Sequence, residues 1–144
     1  MKQLSFVLAL VLILPLAAAA QVPTPTESMG SYYHTPEQKA MDAYGRGIRL
    51  KKKAEAAKEP AAQTKLYLKA KAELSKSAAY HANYDAYLAL GQVYLALGQQ
   101  ESALDACNHA QALKPKDEEA QSCRTEAQKR LQEAAAAKPQ DRGR

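Results

Sequence analysis

Cysteine and histidine are the side chains of this sequence best suited to catalysis or metal binding. The sequence has five of them: Cys107, Cys123, His34, His81 and His109. A zinc site needs several such ligands at recognised spacings, and a nucleophile needs a base held beside it by a third group. Cys107 and His109 are two residues apart, so on a helix they point to different faces. There is also no glycine-rich phosphate loop. We therefore expect no enzyme active site, no bound metal and no cofactor.

The two cysteines could instead form a disulfide. The turn between the helices that carry them centres near Pro115 and Lys116, so Cys107 and Cys123 are about equally far from it in sequence. In an antiparallel hairpin, residues equally far from the turn lie level with each other, and a disulfide needs a Cα separation of roughly 5.5–6 Å. The alternative is two buried free thiols that act as small apolar residues. We predict the disulfide.

Positive charge is concentrated in one part of the chain, whose formal net charge is +5. Residues 46–76 hold ten Lys or Arg and three Glu, whereas residues 84–126 hold three Lys or Arg and seven Asp or Glu. The densest basic cluster is Lys51, Lys52 and Lys53. Such a cluster is usually a solvated helix face. The alternative is a docking patch for anionic lipid headgroups, an acidic protein or another polyanion. Aromatic residues that would stack on bases are missing there, so we expect no nucleic acid, while contact with a membrane surface stays open.

The first twenty residues, MKQLSFVLALVLILPLAAAA, have the pattern of a secretory signal peptide. Lys2 precedes an apolar run at 4–16, and four alanines end the segment. The run is short for a membrane span and Pro15 interrupts it, although an uncleaved anchor is the alternative. We predict cleavage near Ala20, which would place the mature chain in the periplasm or outside the cell. Such compartments permit disulfides.

The remaining sequence is rich in helix-forming residues and contains no tryptophan. The apolar spacing predicts an all-α fold of about five antiparallel helices, at about 36–58, 60–80, 84–97, 100–113 and 118–137. Residues 21–35 are rich in proline and small polar residues, which indicates a disordered linker. Residues 138–144 are expected to form a disordered tail.

The pentapeptide YLALG occurs twice, at 87–91 and 94–98. The copies are seven residues apart, so equivalent side chains share one face of a single helix, displaced by about 20°. Gly98 stands where this helix should end. Gly91 stands in its middle, where glycine costs about 1 kcal/mol relative to alanine. A glycine at that place predicts the close approach of another helix.

Residues 84–117 form a 34-residue helix–turn–helix unit that resembles a tetratricopeptide repeat (TPR). The signature positions of the family are matched by Tyr87, Leu90, Gly91, Tyr94, Ala103, Ala110 and Pro115. The aromatic residue usual between the two alanines is replaced by Cys107. The resemblance implies a short right-handed solenoid, in which 118–137 is the capping helix. Residues 36–83 would be a degenerate TPR-like hairpin whose connection is about ten residues too long. The alternative for 36–80 is a plain helical hairpin that covers the true repeat.

Proteins of the TPR family typically bind proteins or peptides in a concave groove. By that resemblance, the groove residues here would be Tyr44, Ile48, Asp85, Leu88, Ala89, Gln92 and Leu95. Ala89 stands where members that clamp a C-terminal carboxylate have asparagine, so that mode is not expected. Together with the predicted export, the resemblance implies an interaction module that binds a protein or peptide in an envelope assembly. The alternative is a self-associating structural protein, since two or so repeats are few for independent stability.

Overall fold

A computed structural model describes residues 35–137, which form five helices and no strand. The helices are α1 (Pro36–Glu55), α2 (Pro60–Tyr80), α3 (Tyr84–Ala96), α4 (Gln100–Leu113) and α5 (Glu118–Ala137). The predicted all-α class is confirmed. None of these five helices has the length and apolar character needed to cross a membrane. The predicted signal peptide, the linker up to residue 34 and the tail from residue 138 lie outside the described residues.

Local sequence signals set the ends of several helices. Thr35, Asn83 and Asp117 each precede a helix, and each side-chain oxygen accepts a hydrogen bond from the backbone N–H three residues later, at 3.2, 2.8 and 3.0 Å. These N-caps satisfy donors that a helix start leaves without partners. Gly98 follows α3 with a φ of 69°, the left-handed conformation that glycine adopts easily after a helix.

The helices pack in chain order. Helices α1 and α2 form one hairpin and α3 and α4 a second, while α5 lies mainly on α4 and also touches α3. Helix α3 joins the hairpins by packing on α2 and touching α1. The first hairpin has no long connection, because residues 56–59 alone separate its helices. Its extra length lies in the helices themselves, which have 20 and 21 residues.

Small residues allow the first hairpin to pack closely. A Cβ atom on Gly47 would lie 2.6 Å from Cγ of Leu74, so only glycine leaves room for this leucine on α1. Ser77 is fully buried, and its hydroxyl donates a hydrogen bond of 2.8 Å to the carbonyl oxygen of Ala40. This bond satisfies the buried hydroxyl, which would be costly to leave without a partner. The first hairpin is therefore closely packed, and α3 packs on its second helix, α2.

Candidate functional site

Gly91 marks the point where α3, α4 and α5 come together. A Cβ atom there would lie 2.6 Å from Sγ of Cys107 and 2.7 Å from Sγ of Cys123. These two sulfur atoms form a disulfide with a Cα–Cα distance of 5.7 Å, as the equal spacing from the turn predicts. Both cysteines are buried. The predicted close approach at Gly91 is therefore present, and the atoms that approach belong to the disulfide.

Most of the other positions that match the TPR signature serve packing. Leu90, Ala103 and Ala110 are buried, Tyr87 and Tyr94 are half-buried, and Pro115 is exposed in the turn after α4. The ring of Tyr87 stacks on that of His109, with centroids 4.8 Å apart. These contacts hold the second hairpin together.

The two histidines of the described residues lie at the surface, each near one carboxylate. Nε2 of His109 is 3.8 Å from the carboxylate of Asp105, and Nδ1 of His81 is 3.9 Å from that of Glu37. His34 lies outside the described residues. Within 35–137, no group of three or more His, Cys, Asp and Glu side chains is arranged to hold a metal ion.

Helices α3 and α5 border a shallow groove, which we call the α3–α5 groove. It encloses a cavity of about 470 Å³, lined by Gln92, Leu95, Glu118, Glu119, Ser122, Cys123 and Glu126. Two of the seven predicted groove residues, Gln92 and Leu95, line this cavity. Asp85 is exposed on the same helix, α3. A groove therefore exists on α3, but its second wall is α5 rather than α1.

Leu88 and Ala89 are not groove residues, and this part of the prediction is wrong. Leu88 is only 7% exposed, because α5 covers that part of α3 and buries this side chain against the disulfide and Ala120. Ala89 is 5% exposed and packs in the core with Ala70 and Leu74 of α2.

Tyr44 and Ile48 take a position intermediate between core and surface. Both are half-buried and pack against the core cluster that α2 and α3 share. Burial, and then the nearby negative charge of Asp85, raise the pKa of the Tyr44 hydroxyl. Tyr44 is therefore a neighbour of the α3 carboxylate, although it does not line the α3–α5 groove.

The α3–α5 groove is acidic. Glu118, Glu119 and Glu126 contribute three carboxylates from α5. Arg130 is the cation beside them: its Nε donates to Glu126 at 2.6 Å, and its guanidinium also donates to the carbonyl oxygen of Leu95 at 3.2 Å. This arginine ties α5 to the end of α3 but leaves an excess of negative charge. These residues were not predicted from the sequence, although Glu119 and Glu126 are seven residues apart and so share one face of α5, beside its apolar stripe.

A second link fixes α5 against α3. The hydroxyl of Tyr84 donates a hydrogen bond to the carboxylate of Asp117, which is also the N-cap of α5. The hydrogen bond from Tyr84, followed by that from the backbone N–H of Ala120, holds the pKa of the Asp117 carboxyl below its usual range. Nζ of Lys114 lies 3.8 Å from the centre of the Tyr84 ring. Tyr84, the first residue of α3, is thus hydrogen-bonded to Asp117, the residue that immediately precedes α5.

The predicted basic patch is not one surface. Lys51 is paired with Glu55 at 2.8 Å, and consecutive residues of a helix point in different directions. A second groove lies along the outer side of the first hairpin, with a cavity of about 420 Å³; we call it the α1–α2 groove. It is lined by Arg46, Arg49, Leu50, Lys53, Lys69, Ala72 and Glu73. Of the three predicted lysines, only Lys53 belongs to it.

Comparisons of the chain with protein-family models, curated proteins and solved structures find no match. Function is therefore inferred from the surfaces themselves.

Proposed function

We propose that the protein is an exported, TPR-like interaction module that holds a segment of another protein in the α3–α5 groove. The observation that supports this proposal is a groove with exposed polar side chains on the helix that carries the TPR-like signature. Its two walls are tied together by Arg130 and by the bond from Tyr84 to Asp117. Preorganised walls favour binding because less conformational freedom is lost when the partner docks.

The groove chemistry favours a partner segment with lysine or arginine side chains. Gln92 and Ser122 offer hydrogen bonds to a peptide backbone, and Leu95 offers an apolar contact. Glu118 and Glu119 are exposed and form no ion pair with any residue between 35 and 137, so both can attract cations. Complementary charge gives specificity and speeds association. Binding of a free C-terminal carboxylate would be opposed here, in agreement with the alanine at position 89.

Site-specific cross-linking in the cells that make the protein tests this proposal. The photo-reactive residue p-benzoyl-phenylalanine is placed at position 92 of the groove, and a second protein carries it at position 128 on the exposed outer side of α5. We expect position 92, but not position 128, to yield a discrete cross-linked partner. The two positions control for nonspecific capture, since both are exposed glutamines.

Two matched substitutions then test the charge of the groove. Ser122→Arg adds a cation inside it, and Gln128→Arg adds the same cation on the same helix outside it. We expect Ser122→Arg to abolish the product formed at position 92 and Gln128→Arg to leave it unchanged. An equal effect of both, or no product at all, would refute the proposed site. A product consisting of two copies of this chain would support the self-associating alternative instead.

A further inference from the structure

The α1–α2 groove lies on the side of the first hairpin turned away from α3. Tyr44 and Ile48 of α1 pack toward the core that α3 shares, and Leu50 also packs against this core while it lines the groove. The groove residues of α1, at positions 46, 49, 50 and 53, follow the i, i+3, i+4, i+7 spacing of a different helical face. Positions 69, 72 and 73 of α2 form the facing wall. The groove is thus independent of the α3–α5 groove.

The shape of this groove fits a helix. On the inner side of the hairpin, α3 packs against both α1 and α2. On the outer side, the same two helices again form two ridges with a recess between them, and within 35–137 no helix occupies it. Leu50 is half-buried at this recess and Ala72 is exposed beside it. Ridges that border such a recess are the arrangement into which the side chains of a third helix can insert.

The rim of the groove is positively charged. Its one acid, Glu73, accepts hydrogen bonds of 2.6 Å from both Arg46 and Lys76, which offset its charge. Arg49, Lys53 and Lys69 form no ion pair with any residue between 35 and 137. Three cations therefore surround a partly apolar recess without an internal counter-charge.

We infer that the α1–α2 groove binds an acidic amphipathic α-helix of another protein. The apolar stripe of that helix would lie on Leu50 and Ala72, and its carboxylates would meet the three cations without ion pairs. Helix-in-groove recognition uses such a stripe at i, i+3, i+4, i+7, and complementary charge selects the partner and its register.

Two other occupants fit less well. A lipid bilayer presents a broad, flat surface, whereas Leu50, the larger apolar side chain of the groove, is half-buried in a recess between two helices. A second copy of the chain would most simply offer α5, the last helix of the array. The exposed positions of α5 outside the α3–α5 groove are mostly uncharged glutamine and threonine, and their one acid, Glu133, is accompanied by the cation Lys129. The acidic helix of a different protein is therefore the occupant that the charges favour.

A pair of synthetic peptides tests the inference on the purified, exported protein. One peptide has leucine at i, i+3, i+4 and i+7, glutamate only at positions flanking this stripe and alanine elsewhere, so that it is helical; the other has lysine in place of every glutamate. Binding is measured by fluorescence anisotropy. We expect the glutamate peptide to bind and the lysine peptide to bind at least tenfold more weakly. Absence of binding by the glutamate peptide would overturn the inference.

Charge variants locate the site. Arg49→Glu, Lys53→Glu and Lys69→Glu combined should weaken binding of the glutamate peptide at least tenfold. The matched control combines Lys52→Glu, Lys58→Glu and Lys116→Glu, three exposed lysines outside the groove, and should change binding less than twofold. Equal losses in both triple variants would show attraction to overall charge and would overturn the proposed site.

A steric variant separates the groove from its charge. Ala72→Arg adds a cation and fills the recess, so it should weaken binding even though attraction increases; unchanged binding would contradict a helix seated there. Circular dichroism of each variant verifies the fold. Two results would replace the inference: binding of phosphatidylglycerol vesicles but not the peptide, or a dimer that only the groove triple dissociates. Ser122→Arg in the α3–α5 groove should leave peptide binding unchanged, which keeps this test separate from that of the proposed function.

Discussion

Replacing Gly91 by alanine tests whether the disulfide is the reason for a glycine in the middle of α3. The added Cβ would lie 2.6 and 2.7 Å from the two sulfur atoms, whereas ordinary contacts are 3.4–4 Å. The sulfur atoms cannot swing away, because they are bonded to each other and held by two packed helices. Gly45 is the matched control. It also lies inside a helix, but its added Cβ would meet only the Arg49 guanidinium, at 3.6 Å.

The magnitude follows from two opposing effects. Alanine in place of glycine in a helix interior stabilises a protein by about 1 kcal/mol, and this gain applies at both positions. Overpacking typically costs about 1–3 kcal/mol and applies at Gly91 alone. The difference between the two variants cancels the helix propensity, so Gly91→Ala should be about 1–3 kcal/mol less stable than Gly45→Ala. In a domain of this size, each kcal/mol moves Tm by roughly 4–8 °C.

Urea unfolding followed by circular dichroism measures these free energies. Both substitutions are also made in a background that carries Cys107→Ala and Cys123→Ala, which removes the sulfur atoms. In that background Gly91→Ala should become as favourable as Gly45→Ala, because the clash has gone. The double-mutant comparison isolates the interaction between position 91 and the disulfide. If Gly91→Ala stabilises the oxidised protein as much as Gly45→Ala does, the steric account is wrong.

Three further predictions concern the disulfide, the hydrogen bond between Tyr84 and Asp117, and the N-terminus of the mature protein. Alkylation without reductant should find no free thiol, since Cys107 and Cys123 are bonded, and two reactive thiols in the folded protein would contradict this. Reduction should lower the free energy of unfolding by about 3 kcal/mol, because the bond closes a loop of about 15 residues. The pKa of the Asp117 carboxyl is lower in the folded protein than its ordinary value of about 4. This carboxylate therefore stabilises the fold at a pH above that ordinary value, and its contribution is lost as the pH falls through the lower pKa of the folded state. Tyr84→Phe should therefore reduce the acid-induced fall in Tm, and an unchanged acid profile would contradict the link. Intact-mass measurement of the exported protein should give Gln21 as the first residue, and a mass that includes the leader would contradict cleavage.

The helices could be predicted from the sequence because their signals are local. Thr35 and Pro36 predict the start of α1, and Pro60 predicts the start of α2. Pro115 and Asp117 predict the break between α4 and α5. The first helix ends at Glu55, earlier than predicted, since the sequence before Pro60 contains no strong stop signal. The disulfide could also be predicted, because the two cysteines lie at equal distances from the turn of a single hairpin.

The α3–α5 groove could not be predicted to the same degree as the helices. The apolar pattern of a helix shows which face is buried but not which partner buries it. The family resemblance predicts Leu88 in a groove because it leaves that face of α3 open, whereas in the structure α5 covers it. The bond between Tyr84 and Asp117 joins residues 33 apart in the sequence, and nothing in either neighbourhood indicates the pairing.

The disulfide also determines how the chain would respond to a pulling force. Cys107 and Cys123 are 16 residues apart, and the covalent bond keeps the intervening chain from extending. A residue adds at most roughly 3.3–3.6 Å to an extended chain. A molecule stretched between its ends should therefore lengthen by roughly 50 Å less in the oxidised state than after reduction. The turn that carries Asp117 would stay looped while the rest of the array unravels, so force could detach α5 from α3 while Cys123 stays bonded to Cys107 of α4.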